Sequence, residues 1–196
     1  MLLCLDQPPR LFSQAVVLAQ GSARVVAERV TGGFKDSFHD IEPDEFRFVQ
    51  LFSASWIWAD PNDSLKGSGT WVEVRSEAQL LEWEQHWGHG ESGDSHCPRQ
   101  FPSSLLEIDD IKFYSLMCDS RLVGGVLFNL SGPVVGISNV FFAGINETEL
   151  WIEIRALATN LFPNMPLTGY ERGASLQAAE GSGFEAIGQL RVWAPR

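Results

Sequence analysis

The chain has 196 residues, of which 44% are hydrophobic and 11% aromatic, so it can build a substantial core and is not a disordered protein. Its 25 acidic and 14 basic residues give a net charge of −11 without any basic run, which disfavours nucleic acid and favours a cationic partner such as an amine. No apolar run approaches the ~20 residues that span a bilayer, and three cysteines without a zinc or disulfide pattern are typical of a reducing compartment. We therefore expect a cytoplasmic protein with no nucleic-acid partner and no membrane partner.

Residues 1–69 are predicted to form an N-terminal extension that is mostly helical. The stretch 11–30 has the pattern of a helix broken near Gly21. The stretch 45–58, EFRFVQLFSASWIW, fits a helix about as well as a strand, and we interpret it as a helix. Its apolar content requires a packing partner, which is either the main domain, 70–196, or a second copy in a homodimer.

From Thr70 onward the hydrophobic periodicity predicts a mixed α/β sheet. TWVEVR alternates as a strand does, and SEAQLLEWEQHW has Ser76 and Gln79 in capping-box spacing at the start of a helix. Three apolar runs joined by hairpin-length turns follow, IKFYSLMC, RLVGGVLFNL and VVGISNVFF. After them come a helix, ETELWIEIRALATNLF, and a short strand, PLTGYE. The chain continues with a second helix that ends at Gly183, ASLQAAEGSGF, and a last strand region, FEAIGQLRVW. Strands joined by hairpins and then by helices indicate a sheet with both antiparallel and parallel pairs.

The stretch GISNVFFAGINETELW, residues 136–151, predicts a buried strand, a short turn and a helix start. Such a turn can hold a phosphate, because the first amides of a helix have no partner within the helix. Glu147 and Glu149 in the first helical turn oppose an anion there. Ser138 and Asn139 are polar residues in an otherwise apolar strand, which indicates either a cleft-facing group or a bulge.

The order of elements, together with PLTGYERGASLQAAEGSGFEAIGQLRVW and its Gly183-Phe184 pair, resembles the GNAT superfamily of acyl-CoA N-acyltransferases over residues 70–196. The resemblance implies a GNAT-like fold in which the strands at VVGISNVFF and PLTGYE splay apart and the main chain from Asn139 onward pairs with the pantetheine arm of acyl-CoA. The implied contacts to acetyl-CoA or CoA are Val140, Phe141, Phe142, Ala143, Gly144, Ile145 and Asn146. Three departures are visible: the turn has one glycine and no basic residue, Glu147 and Glu149 follow it, and Ala179 stands where many members have a catalytic tyrosine.

The function that the resemblance implies is an N-acetyltransferase that transfers an acetyl or other acyl group from acyl-CoA to a small amine. Glu171 is the candidate base, and its structural alternatives are a pair with Arg172 or Arg191 or a solvated strand end. Tyr170 is the candidate proton donor, and its alternative is a core tyrosine. Asn139 is the third candidate catalytic residue. The departures favour the alternative, a non-catalytic GNAT-like binding or structural module.

The segment QHWGHGESGDSHC, residues 85–97, contains three histidines and a cysteine in a glycine-rich stretch. Their spacing matches no zinc pattern, so we interpret the segment as a solvated loop and expect no metal site. The tryptophans at helical spacing, Trp83, Trp87 and Trp151, are expected to pack in the core.

Overall fold

A computed structural model describes residues 2–4, 13–41, 47–62, 64–92 and 99–196, with the backbone alone for residue 2 and residues 89–92. The chain forms two compact units. The first takes its described residues from 1–56, 171–173 and 186–196, and the second from 57–170 and 174–185. These units differ from the predicted division at residue 69, because 57–69 belong to the second unit and most of the last strand to the first.

The elements in chain order are β1 (Leu2–Leu3), β2 (Ala15–Val16), α1 (Ala23–Arg29), β3 (Phe34–Asp36), β4 (Phe48–Ala59), β5 (Thr70–Glu73), α2 (Glu77–Ser92), a 3-10 helix (Ser103–Glu107), β6 (Ile111–Cys118), β7 (Arg121–Ser131), β8 (Val134–Phe142), α3 (Glu147–Leu161), β9 (Leu167–Glu171), α4 (Gly173–Gly181) and β10 (Glu185–Pro195). None of the described helices is long and apolar enough to cross a membrane.

The second unit contains the mixed sheet that the periodicity predicts. Its strands lie in the order β9-β8-β7-β6-β5, with antiparallel pairs from β5 to β8 and a parallel pair between β8 and β9. The Thr168 hydroxyl of β9 donates to the Ile57 carbonyl at 3.1 Å, which brings the end of β4 beside β9. The predicted mixed α/β sheet is therefore confirmed.

Two predicted helix ends are also confirmed. Ser76 and Gln79 form a reciprocal capping box at the start of α2, where the Ser76 amide donates to Gln79 Oε1 at 3.1 Å and the Gln79 amide to Ser76 Oγ at 3.3 Å. Gly183, at a φ of 97°, ends α4 with its amide on the Glu180 carbonyl, and the Phe184 amide bonds to the Ala179 carbonyl. This pair of bonds is a Schellman cap, which requires a residue that tolerates positive φ.

Two apolar clusters hold the second unit together, and the predicted tryptophans lie in them. Trp83 of α2 is fully buried and meets the rings of Phe101, Phe113 and Phe141 edge-on at 5.0–5.6 Å. Trp151 of α3 packs in the other cluster, edge-on to Phe184. Burial of a large apolar side chain contributes about 1.5–3 kcal/mol, so these rings bind α2 and α3 to the sheet.

The first unit corrects the prediction of a mostly helical extension. Residues 48–59 form strand β4, not the predicted helix, and in the stretch 11–30 a short strand, β2, precedes the single helix α1. Burial alternates at both ends of β4: Phe48 is buried beside an exposed Val49, and Ile57 and Ala59 flank a half-buried Trp58. The aromatic and small polar residues of this stretch fit the helical period and the strand period equally well. Pairing with neighbouring strands stabilises the strand.

The sheet of the first unit has the order β1-β2-β3-β10-β4. Its core lies around Phe34, Phe48 and Trp193, with Phe34 stacked on Trp193 at 6.2 Å and edge-on to Phe48 at 5.1 Å. The last predicted strand region is one continuous strand, β10, which pairs antiparallel with β3.

Candidate active site

The parallel pairing of β8 with β9 stops after two positions. Val135 pairs with Leu167 and Gly136 with Thr168, and no further pairs form although β8 continues to Phe142. The two backbones stay close for one more residue, since a Cβ on Gly169 would lie 2.9 Å from the Ile137 carbonyl oxygen. Beyond that point the main chain of β8 has no strand partner on this side within the described residues, as expected for splayed strands.

A β-bulge follows immediately in β8. Gly125 of β7 pairs with Phe141, but Leu127 pairs with Ser138, so one residue of β7 stands opposite both Asn139 and Val140. Asn139 has a φ of 54°, a left-handed conformation that asparagine tolerates better than β-branched residues do. Of the two alternatives for the polar pair in this strand, the structure contains the bulge, which explains why an asparagine stands there.

The turn after β8 is tied to the sheet at its first residue. The Ala143 amide donates to the Val123 carbonyl of β7 at 2.8 Å, and Gly144 adopts a φ of 77°. The next amides, those of Gly144 and Ile145, donate to no group in the described part of the chain. Two neighbouring amides at an exposed turn are therefore available to an acceptor.

The start of α3 is already capped by its own side chain. Asn146 Oδ1 accepts from the Thr148 amide at 2.9 Å and from the Glu149 amide at 3.3 Å. Glu147 and Glu149 add negative charge to the same turn. Two of the helix amides are thus occupied, and an anion at this turn has only the preceding amides to bind.

A cavity of about 390 Å³ lies beside this turn. It is lined by the turn residues Ala143, Gly144 and Ile145 and by Cys118, Arg121, Leu122 and Val123 of the β6–β7 hairpin. Arg121 is exposed and forms no ion pair with any residue that the structure describes. The sequence reasoning missed Arg121, because the hairpin brings it to a turn that follows more than twenty residues later.

The predicted cofactor-binding residues form one continuous path from the bulge to the helix cap. Along it, Phe141 is buried against Trp83 at 5.0 Å, Phe142 is 44% exposed, and Val140 is half-buried. Ala143 and Gly144 are exposed, and Asn146 is the cap of α3.

The predicted catalytic residues do not all lie in one unit. Tyr170 and Glu171 are consecutive, half-buried residues at the end of β9; Tyr170 and Asn139 belong to the second unit and Glu171 to the first. The arginines proposed as partners of Glu171 have other contacts: Arg172 lies over the Phe52 ring at 4.4 Å, and Arg191 donates to the Ile41 carbonyl at 3.0 Å. The roles of Glu171, Tyr170 and Asn139 stay predictions.

The histidine-rich segment falls largely outside the described side chains. His86 is described, and its Nδ1 lies 2.9 Å from the Glu82 carbonyl of the preceding helical turn. The described residues contain no cluster of metal-binding side chains. Helix α2 continues to Ser92, so the interpretation as a loop is wrong for residues 85–92, where the glycines do not stop the helix; it stays a prediction for residues 93–98, which lie outside the described part.

Comparison with known proteins finds similarity in structure and not in sequence. No family model and no curated protein matches the chain. A GNAT-family protein from Novosphingobium aromaticivorans superposes with a TM-score of 0.60 at 12% identity, over 92% of this chain and 83% of its own. A GCN5-related N-acetyltransferase from Kribbella flavida superposes with a TM-score of 0.55 at 9% identity, over 83% of this chain and 67% of its own.

A third similar structure is a conserved protein of unknown function from Staphylococcus epidermidis, with a TM-score of 0.59 at 14% identity over 89% of this chain and 77% of its own. Identities this low establish the architecture alone. The mixed sheet, the two-position β8–β9 ladder and these superpositions together give the chain a divergent GNAT-like fold.

Proposed function

We propose that the protein is an acyl-CoA-dependent N-acyltransferase that acts on a small amine. The observation that carries this proposal is the end of the β8–β9 ladder after Gly136 and Thr168, which leaves residues 138–142 paired with β7 alone and without a described strand partner on the β9 side. An extended chain of amides, such as the pantetheine arm of CoA, can pair with such a strand as another strand would.

The turn after the bulge is the proposed site of the CoA phosphates. The amides of Gly144 and Ile145 supply two donors, and Arg121 in the adjoining cavity supplies the positive charge that the turn itself lacks. Acyl-CoA, when bound, supplies a carbonyl activated as a thioester.

In the proposed reaction the acceptor amine attacks the thioester carbonyl, the new C–N bond forms, and the C–S bond breaks to release CoA. The cationic amine loses two protons in all; the leaving thiolate gains one and the other passes to solvent. We assign the deprotonation of the amine to Glu171 and the protonation of the thiolate to Tyr170, since the buried Ala179 has no proton to give. The net charge of −11 favours the approach of a cationic amine.

A non-catalytic GNAT-like module is the second candidate. It is favoured by the Asn146 cap, which occupies two helix amides, and by Glu147 and Glu149, which repel phosphate. This candidate retains the fold and predicts no release of thiol from acyl-CoA with any amine.

Thermal unfolding with and without CoA, followed by thiol release from acetyl-CoA over a panel of small amines, separates the two candidates. Saturating CoA at about 100 times its Kd is expected to stabilise the protein by about 2.7 kcal/mol. Stabilisation without thiol release would favour the binding module, and no stabilisation at millimolar CoA would reject CoA binding altogether.

The role of Arg121 can be tested by Arg121→Ala against Arg29→Ala, which removes the same charge from an exposed position on α1. We expect Arg121→Ala to weaken CoA binding by about 3- to 10-fold, the range for a solvent-exposed charged contact, and Arg29→Ala to leave it unchanged. Equal affinities in the two variants would remove Arg121 from the site.

A further inference from the structure

A second cavity of the second unit has no role in the proposed acyl transfer. It measures about 200 Å³ and is lined by residues 58–62, which comprise the end of β4 and the segment after it, by Arg155 of α3, and by Gly183 and Glu185. It shares no lining residue with the cavity beside the turn after β8. The two cavities are therefore separate sites.

Arg155 is a buried charge without a carboxylate partner. The residue is 7% exposed, and no acidic oxygen lies within ion-pair distance of it in the described ranges. Its contacts are a hydrogen bond from Nη1 to the Ser182 carbonyl and the face of the Phe184 ring at 5.6 Å. Arginine almost never occupies a buried position unpaired, because desolvation of the charge is costly, and burial indeed lowers the pKa of Arg155.

The local backbone holds this guanidinium in place and leaves one part of it open. A Cβ on Gly183 would fall on Nη1, so the glycine that ends α4 also makes room for the arginine. The Ser182 carbonyl, at the negative end of the α4 dipole, accepts the hydrogen bond from Nη1. The other guanidinium nitrogens have no partner among the described residues and are not enclosed, so they are accessible from the cavity that Arg155 lines.

Asp60 and Glu185 line the same cavity and restrict what can bind to Arg155. Asp60 Oδ1 accepts from Trp58 Nε1 at 2.9 Å, which orients its carboxylate. Two carboxylates near the guanidinium repel a dianion such as phosphate, but they attract an ammonium group. The cavity therefore presents one site for an anionic group and two for a cationic group.

We propose that this cavity binds a small ammonium carboxylate, with the ligand carboxylate on the Arg155 guanidinium and the ligand ammonium beside Asp60 and Glu185. A planar carboxylate fits the parallel N–H groups of a guanidinium edge, and an amine on the same small molecule neutralises the remaining negative charge. This binding requires no acyl-CoA, so it can be tested separately from the proposed acyl transfer.

The test is a chemical-shift titration of the ¹⁵N-labelled full chain with four probes: glycine, acetate, ethylammonium and inorganic phosphate. Glycine is expected to give saturable shifts at the amides of Asp60 and Asn62 and of residues 183–185. Acetate and ethylammonium are expected to bind about tenfold more weakly, because each makes half of the contacts. Phosphate binding tighter than glycine, or no saturable binding by glycine, would overturn the proposal.

Three substitutions and one control localise the site. Asp60→Asn and Glu185→Gln should lower the affinity for glycine and leave that for acetate no weaker, while Glu107→Gln, an exposed control, should change neither. Arg155→Gln should abolish binding of both carboxylates; if that variant does not fold, the two carboxylate variants still decide. If neither Asp60→Asn nor Glu185→Gln changes the affinity for glycine, the ligand ammonium does not lie beside these two carboxylates.

Discussion

The two halves of β8 use the same kind of backbone in different ways. Up to Gly136 the strand has partners on both sides, β7 and β9, whereas from Ser138 to Phe142 it pairs with β7 alone. The change coincides with two local features: the close approach at Gly169 and the bulge at Asn139. The candidate site therefore consists of main-chain groups of β8 that β9 leaves unpaired. Single side chains affect it mainly by allowing or preventing the backbone conformation of this segment.

The paired half should be the more sensitive to added volume. Gly169→Ala places a methyl group 2.9 Å from the Ile137 carbonyl, where backbone must move, and we expect a loss of about 1–3 kcal/mol. For a chain of this length each kcal/mol corresponds to a fall in Tm of roughly 2–4 °C. Gly188→Ala is the matched control, because nothing lies within 4 Å of a Cβ there. Equal Tm values for the two variants would contradict the close approach.

The bulge should depend on the left-handed residue at its centre. Asn139→Val forces a β-branched residue to a φ of 54° and should cost about 1–2 kcal/mol, whereas Asn139→Gly should retain stability within a few tenths. Denaturant unfolding measures both. If Asn139→Val also retains stability, the bulge is not the conformation of this strand.

Substitutions of Asn146 at the start of α3 distinguish its capping role from phosphate binding. Asn146→Ala should destabilise the protein by about 1 kcal/mol through loss of two hydrogen bonds, while Asn146→Asp should keep the cap. The two variants also differ in charge, so Asn146→Asp should weaken CoA binding and Asn146→Ala should not. An unchanged CoA affinity in Asn146→Asp would mean that no phosphate lies near this turn.

Much of the second unit could be predicted because its signals are local. The capping box at Ser76, the glycine that ends α4 and the alternation of Thr70–Glu73 each specify one element from a few neighbouring residues. The order of those elements then indicated a mixed sheet, and the resemblance pointed to the GNAT-like arrangement that the superpositions support.

The remainder depends on contacts between residues far apart in sequence. Strand β4 has apolar residues at both helical and strand spacing, so only its neighbours in the sheet decide between them. Arg121 reaches the turn after β8 only through the hairpin between β6 and β7. Asn146 was predicted as a cofactor-binding residue, and in the structure its side chain caps the first turn of α3. The sequence N-E-T-E is compatible with either role, so it does not distinguish a helix cap from a binding residue.

The proposed CoA site on β8 can be tested by a CoA titration of the ¹⁵N-labelled protein that follows the backbone amides of this strand. We expect saturable shifts, and slowed hydrogen exchange at those amides of residues 138–142 that face away from β7 and at Gly144 and Ile145, while the amides of Val135 and Gly136, which lie in the β8–β9 ladder, change little. Saturable CoA binding that leaves residues 138–145 unperturbed, or no binding at millimolar CoA, would contradict it.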